Sequence, residues 1–207
     1  MLRIIVVALV LLVAAMFLLP RERNLTRQPL AATVLPAPLE IPSFELADTA
    51  GVPFTRHDLE GRFSLVFFGY TFCPDICPLT LQVLAAVRDD LERRAPELVP
   101  QIVFVSIDPQ RDSAARIRAY LGNFDPEFIG VTAADEELAP LEEALGVTVH
   151  KMGADGENYN VTHNGTIYLV GPAARLRALF NESPQDAAAI ASDYLLLRRR
   201  LKSPAPP

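Results

Sequence analysis

Tryptophan does not occur in this 207-residue sequence, and cysteine occurs only twice. Without an indole, a thiol site of the glutathione-peroxidase kind is incomplete. No glycine-flanked nucleophilic serine and no histidine-rich zinc box is present, so hydrolytic catalysis has no supporting constellation. Positive charge is also in deficit. The formal net charge is −6, and setting aside residues 1–40, which hold four of the 19 basic and two of the 25 acidic residues, leaves −8. An acidic domain repels phosphate backbones, which argues against nucleic acid as a partner. The basic cluster Arg198-Arg199-Arg200 with Lys202 ends the last expected helix, where cations complement the carboxyl-terminal dipole. Internal repeats and long low-complexity segments are lacking as well.

What is present begins with an apolar run of sixteen residues, 4–19, behind Arg3 and before Pro20. At about 1.5 Å per residue it covers ~24 Å, so flanking residues must help it cross a hydrocarbon layer of ~30 Å. Small-x-small cleavage chemistry is missing around Phe17-Leu18-Leu19-Pro20, so residues 1–20 read as an uncleaved membrane anchor rather than a signal peptide. Arg3 lies before the run and Arg21, Arg23 and Arg27 after it, so the flanking charges do not set an orientation. Proline and small residues without periodicity make residues 21–40 a flexible linker. One folded domain is expected over 41–202 and a disordered tail over 203–207.

Within that domain, residues 65–69 and 101–107 are nearly unbroken apolar runs, as in strands buried on both faces. Between them Leu81, Leu84, Val87 and Leu91 recur at helical spacing, giving a βαβ unit. Asp112 or Ser113 can cap a helix with Ala114, Ile117, Tyr120 and Leu121 inward, and a strand follows at 128–131. Leu138, Leu141 and Leu145 mark a helix that Pro140 should delay or bend. Residues 147–152 can extend, 153–158 turn, and 166–170 resume a strand that pairs with 175–180. Ser183 as cap, with Pro184 and Asp186, opens a closing helix. The order β-α-β-α-β-α-β-β-α predicts an α/β fold, a thioredoxin-like central mixed sheet flanked by helices.

Both cysteines lie in Gly69-Tyr70-Thr71-Phe72-Cys73-Pro74-Asp75-Ile76-Cys77-Pro78, directly after the first buried strand. Pro78 lacks an N–H and suits the first helical position, which makes Cys77 the expected cap and 73–76 the preceding loop. The free N–H groups and positive dipole end of a helix start stabilise a thiolate. Two thiolates suit Cu(I), and an added imidazole completes a three-ligand site that also serves Cu(II), whereas structural zinc wants a fourth ligand. Of the three histidines, His163 is best placed, because 159–165 lead straight into the strand at 166–170, beside the dithiol loop in a sheet of this type. His57 and His150 read as surface residues and Met152 as core filling. A structural disulfide between Cys73 and Cys77 would close too short a loop to stabilise by more than about 2 kcal/mol.

The dithiol segment, together with Val105-Ser106-Ile107-Asp108-Pro109-Gln110-Arg111-Asp112 and Val161-Thr162-His163, resembles the Sco/SenC family over roughly residues 41–200. The resemblance implies a membrane-anchored, thioredoxin-fold copper protein that assists assembly of the dinuclear copper centre of cytochrome c oxidase. It implies Cys73, Cys77 and His163 as copper ligands, and Asp75 and Asp108-Pro109 as motif residues that do not ligate. Thr162 departs from the aspartate that commonly precedes the histidine, and Phe72 from the histidine that some members carry before the first cysteine.

The expected function is therefore a copper chaperone of the inner membrane, single-pass, with its domain in the periplasm. It would receive copper from a donor protein and pass it to the copper-site subunit of the oxidase. The alternative is a dedicated thiol-disulfide oxidoreductase, with Cys73 and Cys77 catalytic, that keeps the oxidase's ligand cysteines reduced. A peroxidase reading is weaker, because Tyr70 stands where peroxiredoxin loops place threonine or serine.

Overall fold

A computed structural model of the chain describes residues 29, 31–153, 159–182 and 184–202. The expected membrane anchor and the terminal tail lie outside the described residues, as do the 154–158 turn and Ser183. Among the described residues no helix is long and apolar enough to cross a membrane.

The centre is β4 (Ser64–Gly69), every residue of which is buried. Its Leu-Val-Phe-Phe run pairs in parallel with β5 (Gln101–Ser106), Leu65 opposite Ile102 and Phe68 opposite Val105, and antiparallel with β9 (Ile167–Gly171), Leu65 opposite Leu169. Strands enclosed on both faces need apolar residues at every position, which is why these runs do not alternate. With β1 at Thr33–Glu40, β2 at Glu45–Asp48, β3 at Pro53–Thr55, β6 at Ile129–Thr132 and β10 at Arg175–Phe180, the large sheet among the described residues has the order β1-β10-β9-β4-β5-β6-β2-β3. Parallel β4, β5 and β6 with antiparallel strands on both sides make a mixed sheet.

Four helices flank it among the described residues: α1 (Ile76–Arg94), α2 (Ala114–Leu121), α3 (Asp135–Leu145) and α4 (Ala187–Lys202). On α1, Cys77, Leu81, Leu84, Val87 and Leu91 form the buried stripe. Ser113, one of the two expected caps, accepts from Arg116 N at 3.3 Å at the start of α2. This is the thioredoxin-like architecture.

The structure corrects several expectations. Thr33–Glu40, read as linker, is strand β1, paired with β10 from Thr33 opposite Leu179 to Glu40 opposite Arg175. Pro36 and Pro38 are tolerated because β1 is an edge strand, whose outward N–H groups need no partner. Asp193 Oδ2 holds the approach to β1, accepting from Ala31 N at 2.7 Å and Ala32 N at 3.1 Å. The hairpin of β2 (Glu45–Asp48) and β3 (Pro53–Thr55), with Leu46 and Phe54 buried, has strands too short to show a period. Pro140 neither delays nor starts α3, which begins at Asp135. The carbonyl that Pro140 leaves without a donor belongs to exposed Glu136, where water can serve it. At α4, Asp186 does the capping, accepting from Ala188 N at 2.8 Å and Ala189 N at 3.1 Å.

The largest addition is β8 (Tyr159–His163), read from sequence as a loop. It pairs antiparallel with β7 (Val149–Gly153), Tyr159 opposite Gly153 and Val149 opposite His163. Among the described residues this hairpin pairs with no strand of the large sheet.

Candidate metal centre

The dithiol loop leaves β4 at Gly69, and the lack of a side chain there lets α1 come close. A Cβ on Gly69 would stand 3.0 Å from Cys77 Sγ and 2.9 Å from Phe104. Helix α1 starts two residues earlier than expected, with Asp75 as N-cap, Cys77 second and Pro78 third. All of the first turn's N–H groups lack intrahelical acceptors, so proline suits any of those positions and does not fix which one it takes. Asp75 contributes no side-chain cap. The sulfur of Cys73 takes that role, accepting from Cys77 N at 3.4 Å.

Behind the loop, Asp112 is a buried carboxylate. It accepts from Thr71 N at 2.9 Å, Thr71 Oγ1 at 2.5 Å and Ser106 Oγ at 2.6 Å, which ties the dithiol loop to the end of β5. Sequence reasoning took Asp112 only as a possible helix cap. A carboxylate's burial is not visible in its neighbours.

His163 ends β8, and its Nε2 lies 3.2 Å from Cys77 Sγ. Its Nδ1 is 2.9 Å from the carbonyl oxygen of Asn164. That oxygen can only accept, so Nδ1 carries the proton and Nε2 keeps its lone pair toward the sulfurs. The Asn164 amide in turn donates to Gly146 O and lies within 3.2 Å of Tyr168 Oη. The rings of Phe67 and Tyr70 each stand 6.0 Å from the imidazole and wall it from two sides.

One ligand atom from each of Cys73, Cys77 and His163 lies within 4.8 Å of the others. Both cysteines are free thiols; Cys73 is 9% exposed and Cys77 is fully buried. A hydrogen bond from Cys77, aided by the backbone at Asp75 and Cys77, outweighs burial and pushes the Cys73 thiol from its ordinary 9.0 down to about 3. Cys77 moves upward, because its proton is the one given to the Cys73 sulfur and because it is buried. Burial, then the neighbouring Cys73 charge, raises the Tyr70 hydroxyl to about 12, so it stays neutral. The site thus offers one ready thiolate, one thiol and one imidazole nitrogen. These are soft donors in the number that a low-coordinate metal accepts.

The other histidines are elsewhere. His57 is exposed and meets Glu60 at 3.1 Å, and His150 is exposed on β7 opposite Thr162. Asp75 is exposed at the start of α1, while Asp108 is fully buried, so the two do not share a setting.

A profile of the SCO1/SenC family matches residues 33–195. A SCO2-like protein of Rickettsia felis is 33% identical over 172 residues, 81% of this chain and 82% of its own length. Two solved structures have copper bound. Arabidopsis thaliana ScoI is 28% identical with a TM-score of 0.70, over 76% of this chain and 98% of that one. Yeast Sco1 is 29% identical with a TM-score of 0.71, over 82% and 92%.

Proposed function

The chain belongs to the SCO1/SenC family, and from that membership we propose that it binds one copper ion through Cys73, Cys77 and His163 and delivers it to the dinuclear copper site of cytochrome c oxidase during assembly. The convergence of two sulfurs and one lone-pair nitrogen within 4.8 Å carries this reading. Residues 1–20 anchor the protein in the inner membrane as a single pass, and the domain from β1 onward faces the periplasm. The apolar run at 4–19 supports the anchor, and the proposed delivery to the oxidase sets the side on which the domain works.

The copper is cargo, supplied by a donor protein and surrendered to the oxidase subunit. Cys73 is already a thiolate before metal arrives, Cys77 gives up its proton on binding, and His163 presents Nε2 without a change of tautomer. Release proceeds by ligand exchange. Cys73 is the sulfur that a partner's thiolate can approach, with Cys77 behind it.

The test is a copper titration of the reduced full chain against His163→Ala. The wild type should take up about one copper per chain, and the variant should bind Cu(II) at least ~10–100-fold more weakly, since loss of an outer partner of a ligand alone costs that much.

A second reading is favoured by the split between the thiols, one ionised and outward, the other protonated and inward. Cys73 Sγ would attack a partner disulfide, and the partner's other sulfur would leave as a thiolate. Cys77, losing its proton, would then attack Cys73 Sγ and free the second partner thiolate. The dithiol's two electrons pass to the partner, leaving a Cys73–Cys77 disulfide for an external dithiol to reduce. If the reduced chain retains no copper and still reduces partner disulfides in the His163→Ala variant, this reading replaces the carrier.

A further inference from the structure

We infer that the turn at residues 108–112 sets both halves of the site, with Asp108 and Arg111 latching Tyr159 so that the hairpin of β7 and β8 seats His163 against the dithiol loop. The inference rests on the reading of Cys73, Cys77 and His163 as the copper site.

The hairpin lacks strand partners in the large sheet among the described residues, so side chains must fix where its end points. Tyr159, at the start of β8, is held in three ways. Its hydroxyl donates to buried Asp108 Oδ1, its carbonyl accepts from Arg111 Nη1 at 2.9 Å, and its ring lies 3.7 Å under the Arg111 guanidinium. Arg111 Nε donates to Asp108 Oδ2 at 2.5 Å, so the same carboxylate orients both groups. From Tyr159 to His163 is four residues, about 13 Å of strand at about 3.3 Å each, short enough to carry the placement of one end to the other. Val161, midway, is buried against the body of the protein.

The latch also reaches the cysteines. The Arg111 guanidinium lies 5.0 Å from the ring of Phe72 and 5.8 Å from that of Tyr70, both just before Cys73. Asp112 anchors Thr71 of the same loop. Backbone bonds from Arg111 N at 3.1 Å and Asp112 N at 2.9 Å to Asp108 O make the turn a rigid piece. One short segment therefore fixes the loop through Asp112 and the hairpin through Asp108 and Arg111. These are positioning residues and touch no metal.

The variants are Tyr159→Phe, which removes only the hydroxyl, and Arg111→Lys, which keeps a charge beside Asp108 but loses the fork and the flat face over the ring. In the reduced, metal-free full chain, amide hydrogen exchange over 159–163 should quicken about 10-fold in each, with 64–69 unchanged. Cu(II) affinity should fall ~10–100-fold while Cu(I) affinity, which two thiolates can sustain, stays within about 3-fold. Unchanged exchange and unchanged Cu(II) binding in both variants would overturn the latch. So would an equal loss of both ions, which would mean that the dithiol loop itself had been disturbed. If the wild type binds neither ion, the copper reading fails, and the exchange rates of the metal-free protein still decide the latch.

Discussion

Cys73 and Cys77 leave the end of β4, a strand of the large sheet buried at every residue, whereas His163 ends a hairpin that pairs with no strand of that sheet among the described residues. The dithiol loop is held by packing: Cys77 lies in the buried stripe of α1, and Gly69 leaves free the space that the Cys77 sulfur and the Phe104 ring crowd. The hairpin is held by a few directed contacts, from Tyr159 at one end and Asn164 at the other. The core and two of the three proposed ligands are thus one object, and the third is an attachment to it. Damage on the cysteine side should cost stability and metal together, and damage on the histidine side should cost metal first.

Asp112→Ala should give the largest loss. It strands two hydroxyls and an N–H around an empty pocket, a cost of about 3–5 kcal/mol at roughly 1–3 kcal/mol for each buried group left without a partner. Denaturant unfolding of the metal-free protein measures it, and a loss below about 1 kcal/mol would break the comparison.

Gly165→Ala probes the seam between the two regions. The new Cβ would stand 2.9 Å from Ile76 Cγ1, where the loop after His163 meets the start of α1. Overpacking of this kind costs about 1–3 kcal/mol, and copper affinity should drop alongside, since the seam sets the spacing between imidazole and sulfurs. A titration and an unfolding curve on one preparation compare the two losses. Full copper affinity in a destabilised variant would mean that the seam does not set the spacing.

The smallest effect belongs to Asp48→Ala. Asp48 Oδ1 accepts from Ala50 N and Val52 N at 2.8 Å in the β2–β3 turn, away from both regions. About 1 kcal/mol of stability should go, with copper affinity unchanged. A change in affinity would show that the sheet's far edge communicates with the site.

The central strands were legible because 65–69 and 101–107 are apolar at nearly every position, and α1 because Leu81, Leu84, Val87 and Leu91 keep its period. β1 was not, since its prolines and exposed residues match a tether as well as an edge strand, and only its pairing with β10 distinguishes them. Three- and four-residue strands such as β3 and β2 offer no period to read. β8 lacks a continuous apolar run, and its partner β7 provides the order instead. Pro78 marked a helix start without giving its position, because several first-turn residues lack acceptors alike.

Residue chemistry indicated the candidate ligand types in advance: two sulfurs four positions apart at the mouth of a buried strand, and a histidine leading into another. Such chemistry is local, and a chain carries it in any conformation. That Asp112 lies beneath the loop, that Tyr159 is clasped by Asp108 and Arg111, and that Nε2 of His163 faces Cys77 all depend on segments some 40 to 90 positions apart meeting in space. Those meetings come from burial and strand pairing across the whole domain, which no short stretch of sequence encodes.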